Sequence, residues 1–373
     1  MVALANVLYL LVVPGVVYLL YIWSRFKQVT NRPLNGQDLV RAYIRIFFDI
    51  FNRRNDLNDL ESLRKQASEE NLLLETEIMF DPLHLVQYLD SISVQSPVSS
   101  EPRRRSPLLR DVQQLPPYLP PFYLLSLTGK LQLELATHPK FPFKVLGSVN
   151  TKNEITILKA LTIRELIDSH KSRTTGLPIE KRLMASCRLG ELREAKRGIE
   201  FDLITEVYWK GNTSSEEKEI LWRCVFSGLS FDKKKTTTTT SSATVNPDFL
   251  ETPETPRITR NLRIPSNVGW EYAKVSGDFN PIHLHWVTSK LFGFPKPICH
   301  GMWLISGVIH TSPELTKWLT EEFGNNHSVT MRCHFRRPVS LNSQAQILEW
   351  GQEQPSFIVL DKTNKILLDC KFN

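Results

Sequence analysis

A chain of 373 residues has room for two ordinary domains, or for one double-size domain with extensions. With 41% hydrophobic and 23% charged residues it is composed like a globular protein with a real core, which excludes a wholly disordered chain. The net charge of +7 fits nucleic acid, a membrane surface or an anionic ligand equally well, and scattered surface lysines and arginines are the plain reading. No paired Cys/His zinc spacing and no aromatic-rich RNA-binding strand accompanies that charge, so nucleic acid is not expected as a partner. The cysteines, Cys187, Cys224, Cys299, Cys333 and Cys370, are odd in number and none forms a C-x-x-C. That argues against a disulfide framework and structural zinc, and suits a reducing compartment.

The amino terminus reads as a membrane anchor. From Val2 to Trp23 the sequence VALANVLYLLVVPGVVYLLYIW has no ionisable side chain except tyrosines. A helix of that length covers about 33 Å, enough for a bilayer core. Tyr18, Tyr21 and Trp23 gather at one end, and Arg25, Lys27 and Arg32 follow, which predicts a single-pass protein with the remaining chain in the cytosol. A cleaved signal peptide would need a basic start, a shorter apolar run and a small-residue cleavage site.

Residues 36–79 form a connecting segment. Leu39–Phe51 has near-helical apolar spacing, and 54–80 is acidic and polar, a helix or a loop. Ser96 to Pro121 is rich in proline and serine and contains Arg103-Arg104-Arg105, an exposed basic loop or a patch for anionic ligands. A second linker, 232–257, carries runs of lysine and threonine and three prolines that cannot build a core. It separates a unit at 80–231 from a unit at 258–373, beyond an anchor with its basic flank at 1–35.

The two units have related outlines. The first has a helical segment at Phe122–His138 and strand-like runs at Ile155–Leu158, Glu200–Tyr208 and Glu219–Phe226. The second has one long helix expected over Gly301–Phe323, then strands over Val329–Phe335, Ala345–Trp350, Phe357–Leu360 and Ile366–Lys371. A helix followed by antiparallel strands, given twice, predicts a duplicated α+β unit.

The segment that carries chemistry is Tyr272–Met302, YAKVSGDFNPIHLHWVTSKLFGFPKPICHGM. Gly277-Asp278-Phe279-Asn280-Pro281 is turn chemistry, and it brings an acid at Asp278 and an imidazole at His283 close together. Such a pair can share general acid–base work. Gly301 opens an apolar helix, where unsatisfied backbone N–H groups and the helix dipole could stabilise an oxyanion. Each feature also has a plain reading: Asp278 and Asn280 as turn caps, His283 as a structural histidine, Gly301 as a helix cap. Two other chemistries remain open on the residues alone. His283 and His285, spaced to share one face of a strand, could join His300 and Asp278 around a metal, though no carboxylate-rich set accompanies them. Cys299 beside His300 could form a nucleophilic pair, or be a small buried thiol.

The run Y-A-x-x-S-G-D-x-N-P-I-H, then Gly293-Phe294, then I-C-H-G-M closely resembles the MaoC-like family of hot-dog hydratases and dehydratases, which includes the (R)-specific enoyl-CoA hydratases. Phe335–Ser340, F-R-R-P-V-S, is similar to the family's segment that opens a strand. Phe141–Asn150 and Asn153–Ile157 more loosely resemble the N-terminal half of double hot-dog members. The resemblance implies an α+β double hot-dog with one active site. In it Asp278 and His283 activate a water, Asn280 orders them, and the Gly301 N–H holds the thioester carbonyl. No cofactor and no metal is expected. The implied substrate is a trans-2-enoyl or 3-hydroxyacyl thioester of coenzyme A or an acyl-carrier protein, with a homodimer as one option for assembly. Two departures stand out: His285 where many relatives carry aspartate, and the apolar amino terminus. A non-catalytic acyl-binding scaffold and a thioesterase are the competing functions.

Overall fold

In a computed structural model of the chain, the described residues are 60–70, 72–93, 115–143, 148–175, 181–211, 218–231, 255–351 and 353–373. The expected anchor at Val2–Trp23, the amphipathic stretch Leu39–Phe51, the Arg103–Arg105 cluster and most of the 232–257 linker lie outside them. Among the described residues no helix is long and apolar enough to cross a membrane. That corrects the single-pass membrane localisation and the spanning helix expected from the sequence: the described residues contain no membrane-spanning helix.

The first unit runs α1 (Leu60–Glu70), β1 (Leu73–Glu77), α2 (Pro82–Ile92), α3 (Tyr123–Ala136), β2 (Ser148–Ile157), α4 (Ile163–Thr175), β3 (Lys181–Ala195), β4 (Gly198–Gly211) and β5 (Glu219–Phe231). The second runs β6 (Ile258–Ile264), α5 (Val268–Ser276), a 3-10 turn (Pro281–His283), α6 (Trp286–Leu291), α7 (Gly301–His310), α8 (Pro313–Gly324), β7 (Val329–Phe335), β8 (Ser343–Trp350), β9 (Ser356–Asp361) and β10 (Ile366–Phe372). All strands among the described residues join one ten-stranded sheet in the order β1-β3-β4-β5-β2-β7-β10-β9-β8-β6. Read outward from its middle, each half repeats the same order. The halves meet where β2 pairs antiparallel with β7, from Lys152 opposite His334 to Ile157 opposite Val329.

The acidic stretch before residue 80, expected as a connecting helix or loop, holds the helix α1 and also an edge strand, β1, which pairs with β3 from Leu73 opposite Arg188 to Glu77 opposite Met184. The central helices are apolar because they are enclosed. In α7 every residue from Trp303 to Ile309 is buried, and α3 buries Tyr123, Leu124, Leu125, Leu131 and Leu135.

The long helix expected over Gly301–Phe323 is two helices. Pro313 has no N–H to donate, which is harmless only at a helix start, and it sits in the first turn of α8. The Ser312 hydroxyl caps that start by accepting from Leu315 N at 3.3 Å. Arg260 closes the end of α7 by donating to the Thr311 carbonyl and pairing with Glu349, which accepts from Ser312 Oγ at 2.7 Å. A cation at a helix C-terminus satisfies orphan carbonyls and complements the dipole.

Candidate active site

The site is built on the end of α5. Gly277 takes a left-handed conformation (φ 72°) and its N–H bonds the Ala273 carbonyl at 2.9 Å, which stops the helix. A side chain would be strained there by the backbone alone. The chain then makes two successive side-chain turns. Asp278 Oδ1 accepts from Asn280 N at 3.1 Å, and Asn280 Oδ1 accepts from Ile282 N at 3.3 Å. Pro281 sits in the first position of the 3-10 turn that ends at His283. Asn280 therefore organises the backbone between the acid and the imidazole.

His283 is buried, and its Nδ1 lies 2.9 Å from the Ile298 carbonyl. A carbonyl only accepts, so Nδ1 carries the proton and Nε2 presents a lone pair. That lone pair lies 4.0 Å from Asp278 Oδ2, and Asp278 is 49% exposed. Burial pushes the His283 pKa below its ordinary value, against the opposing pull of Asp278. The imidazole is thus a neutral acceptor, the state a base needs.

The backbone of His283 is held from behind. A Cβ on Gly269, in the first turn of α5, would sit 2.0 Å from the His283 carbonyl oxygen, so only glycine lets helix and turn approach this closely. Ile298 N also donates to Ile282 O at 3.1 Å, and Thr288 Oγ1 to Pro281 O at 2.8 Å. Of the Phe335–Ser340 segment, Phe335 ends β7 rather than opening a strand, while Val339 O accepts from Cys299 N at 2.7 Å.

On the residues alone His300 is a metal ligand or a partner of Cys299; the structure places it beside Asp278 and His283. Its ring stacks on His283 with centroids 3.8 Å apart and planes 29° apart. Its Nε2 lies 3.0 Å from the Asp278 carbonyl and 3.7 Å from Asp278 Oδ2, so it acts as a donor that ties the acid's backbone in place. Burial, reinforced by the neighbouring His283, lowers its pKa to about 3. Gly301 follows directly as the first residue of α7, and a Cβ there would lie 2.3 Å from the Phe335 ring. The first amides of a helix have no intrahelical acceptor, and the His300 side chain does not cap them.

One expectation changes. His285 does not share a strand face with His283: it caps α6, its Nδ1 accepting from Val287 N at 3.2 Å. Asp278, His283 and His300 do offer three donor atoms within 4.8 Å of one another. Of the ring nitrogens, His283 Nδ1 and His300 Nε2 are taken by carbonyls, while His283 Nε2 stays open toward Asp278. The Cys299 thiol is buried and pushed up to about 12, the behaviour of a packing residue rather than a nucleophile.

Residues 248–364 match the MaoC like domain family. The 3-hydroxyacyl-thioester dehydratase X of Mycobacterium tuberculosis is 30% identical over 191 residues, 51% of this chain and 58% of that protein. The match thus spans under two thirds of the relative's own length. Two crystal structures of HtdX from the same organism have TM-scores of 0.55 and 0.56 at 22% and 21% identity, over 81% of this chain and 99% of theirs. A MaoC-like dehydratase from Phytophthora capsici has a TM-score of 0.54 at 14% identity, over 81% of this chain and 94% of that one. These structural likenesses establish the hot-dog fold.

Proposed function

From a chain that carries a MaoC-like domain over residues 248–364, we propose a hydro-lyase that interconverts trans-2-enoyl and (R)-3-hydroxyacyl thioesters. One active site per chain lies in the unit at 258–373, and the unit at 80–231 is non-catalytic. The observation that carries the reading is the facing of His283 Nε2 and Asp278 Oδ2 at 4.0 Å, with the imidazole tautomer set by the Ile298 carbonyl. Groups at that separation can each reach one water oxygen at about 2.8 Å. The named relative, a 3-hydroxyacyl-thioester dehydratase, supports the substrate class.

In the hydration direction, the Gly301 N–H takes the thioester carbonyl oxygen and makes C3 electrophilic. His283 Nε2 removes a proton from the water while the water oxygen bonds to C3. Negative charge moves through C2 onto the carbonyl oxygen, and the same pair returns a proton to C2. Dehydration is the reverse, with loss of the C2 proton and of hydroxide as water. Asn280 keeps the two groups in register through its turn. No step needs a cofactor.

The reading is tested by incubating the purified chain with trans-2-enoyl thioesters from four carbons upward, on coenzyme A and on acyl-carrier protein. Formation of the (R)-3-hydroxyacyl product is expected on at least one handle. Absence of product in both directions across the panel, or release of free thiol instead, sinks the proposal.

A further inference from the structure

Helix α5 ends abruptly at the left-handed Gly277, which leaves its last carbonyls without intrahelical donors. Tyr272 O and Ala273 O are taken locally, by Ser276 Oγ at 2.8 Å and Gly277 N at 2.9 Å. Val275 O, three residues before Asp278, is taken by the other unit. His84 of α2 is buried and its Nε2 lies 2.7 Å from Val275 O. Since the carbonyl can only accept, Nε2 carries the proton, and Nδ1 accepts from the Tyr123 hydroxyl at 3.0 Å.

The same helix also holds the other arm of the site. Tyr88 Oη donates to Ser306 Oγ at 2.9 Å, and Trp303 Nε1 donates to Ser91 O at 2.8 Å. Ser306 and Trp303 belong to α7, which begins at Gly301. One helix of the first unit is thus bonded to both helices whose ends frame the acid, the imidazole and the first amides of α7.

We infer that His84 is a positioning residue for the reaction, holding the α5 end so that Asp278 faces His283 and the oxyanion amides in register. This rests on the reading of Asp278 and His283 as the catalytic pair. The unit without its own chemistry is thereby required for catalysis. Displacement of a reacting group by about 1 Å costs on the order of a hundredfold in rate without a matching change in binding.

The test compares the full chain with His84→Met, His84→Gln and Tyr123→Phe, measuring steady-state enoyl-thioester hydration and amide hydrogen exchange over 272–283. Methionine fills the space without a donor, and glutamine restores an N–H near the Nε2 position. His84→Met is expected to lower kcat at least about 30-fold with KM changed by less than about threefold. His84→Gln should recover most of that loss. Exchange should rise over the turn in the methionine variant and stay low in the glutamine one. Tyr123→Phe, which frees the ring without removing it, should lower kcat about three- to tenfold and speaks for the inference even if His84→Met fails to fold. Unchanged kcat in His84→Met or in Tyr123→Phe, a glutamine variant no better than methionine, or unchanged turn protection overturns it. If the wild-type chain hydrates no thioester, the catalytic reading fails by itself, and the exchange data still decide whether His84 holds the turn.

Discussion

The two units share one strand order but not one loop. In the first, α2 ends at Ser93 in an extended conformation (ψ 101°); in the second, α5 ends at Gly277 in a left-handed one, and Asp278 follows at once. The repeat places helices and sheet alike in both halves, while the proposed chemistry depends on how one helix terminates. A left-handed glycine turns the chain back, and two side-chain turns then bring an acid and an imidazole within reach of one water. The first unit keeps the architecture and spends its polar groups differently. Asp202 there accepts two bonds of 2.6 Å from Arg193 and one of 2.7 Å from Ser227, a structural network within its own sheet.

The largest contrast is expected between Asp278 and Asp202. Asp278→Asn and His283→Ala should each lower kcat/KM by at least about a hundredfold in steady-state assays. Asp202→Asn should leave kcat within about twofold and lower unfolding stability by about 1–3 kcal/mol in urea titrations. An Asp278 variant as active as wild type would remove the acid from the mechanism.

Glycines give the next largest difference. Gly269→Ala forces a methyl against the His283 backbone oxygen, 2.0 Å away, and should cost at least about tenfold in activity as the turn shifts. Gly190→Ala in the first unit meets the flexible end of Ile204 at 2.8 Å and should change activity by less than about twofold. Equal effects in the two assays would mean that the close approach at Gly269 does not set the site.

The stacked histidines make a smaller, pH-dependent contribution. Unfolded, His300 titrates near its ordinary 6.5; folded, it does so at about 3. Between those values the unfolded chain binds a proton that the folded chain refuses, so stability is present above 6.5 and falls as pH drops through the window. On going from about pH 7 to about pH 5 the loss from this group is on the order of 2 kcal/mol. His300→Gln keeps a donor for the Asp278 carbonyl and should flatten that slope. Chemical denaturation at both pH values checks this, and an unaltered slope would assign the acid sensitivity to other groups.

The site's acid, imidazole, asparagine and glycine were legible because they lie in one contiguous stretch whose turn and helix-start residues announce themselves. The strands Val329–Phe335 and Ile366–Phe372 were legible for a related reason: apolar residues recur at every second position in each. The strand Lys181–Ala195 was not, because its inward positions Leu183, Ala185 and Cys187 are partly small and are flanked by charged residues. The edge strands Leu73–Glu77 and Ile258–Ile264 carry charge as edges do, so the first reads as part of a connector and the second gives no strand signal. The break at Ser312-Pro313 is invisible to periodicity, since the apolar pattern continues across it. His300 and His84 could not be found locally, because each acts on a carbonyl far away in sequence, 22 and 191 residues off.

The most direct test of the account is to assay Asp278→Asn, His283→Ala and the double variant on the same enoyl thioester. If the two side chains work on one water as a unit, the double variant should be no slower than the slower single one, within about threefold. Losses that multiply in the double variant would show two independent contributions, and would contradict a shared site at the end of α5.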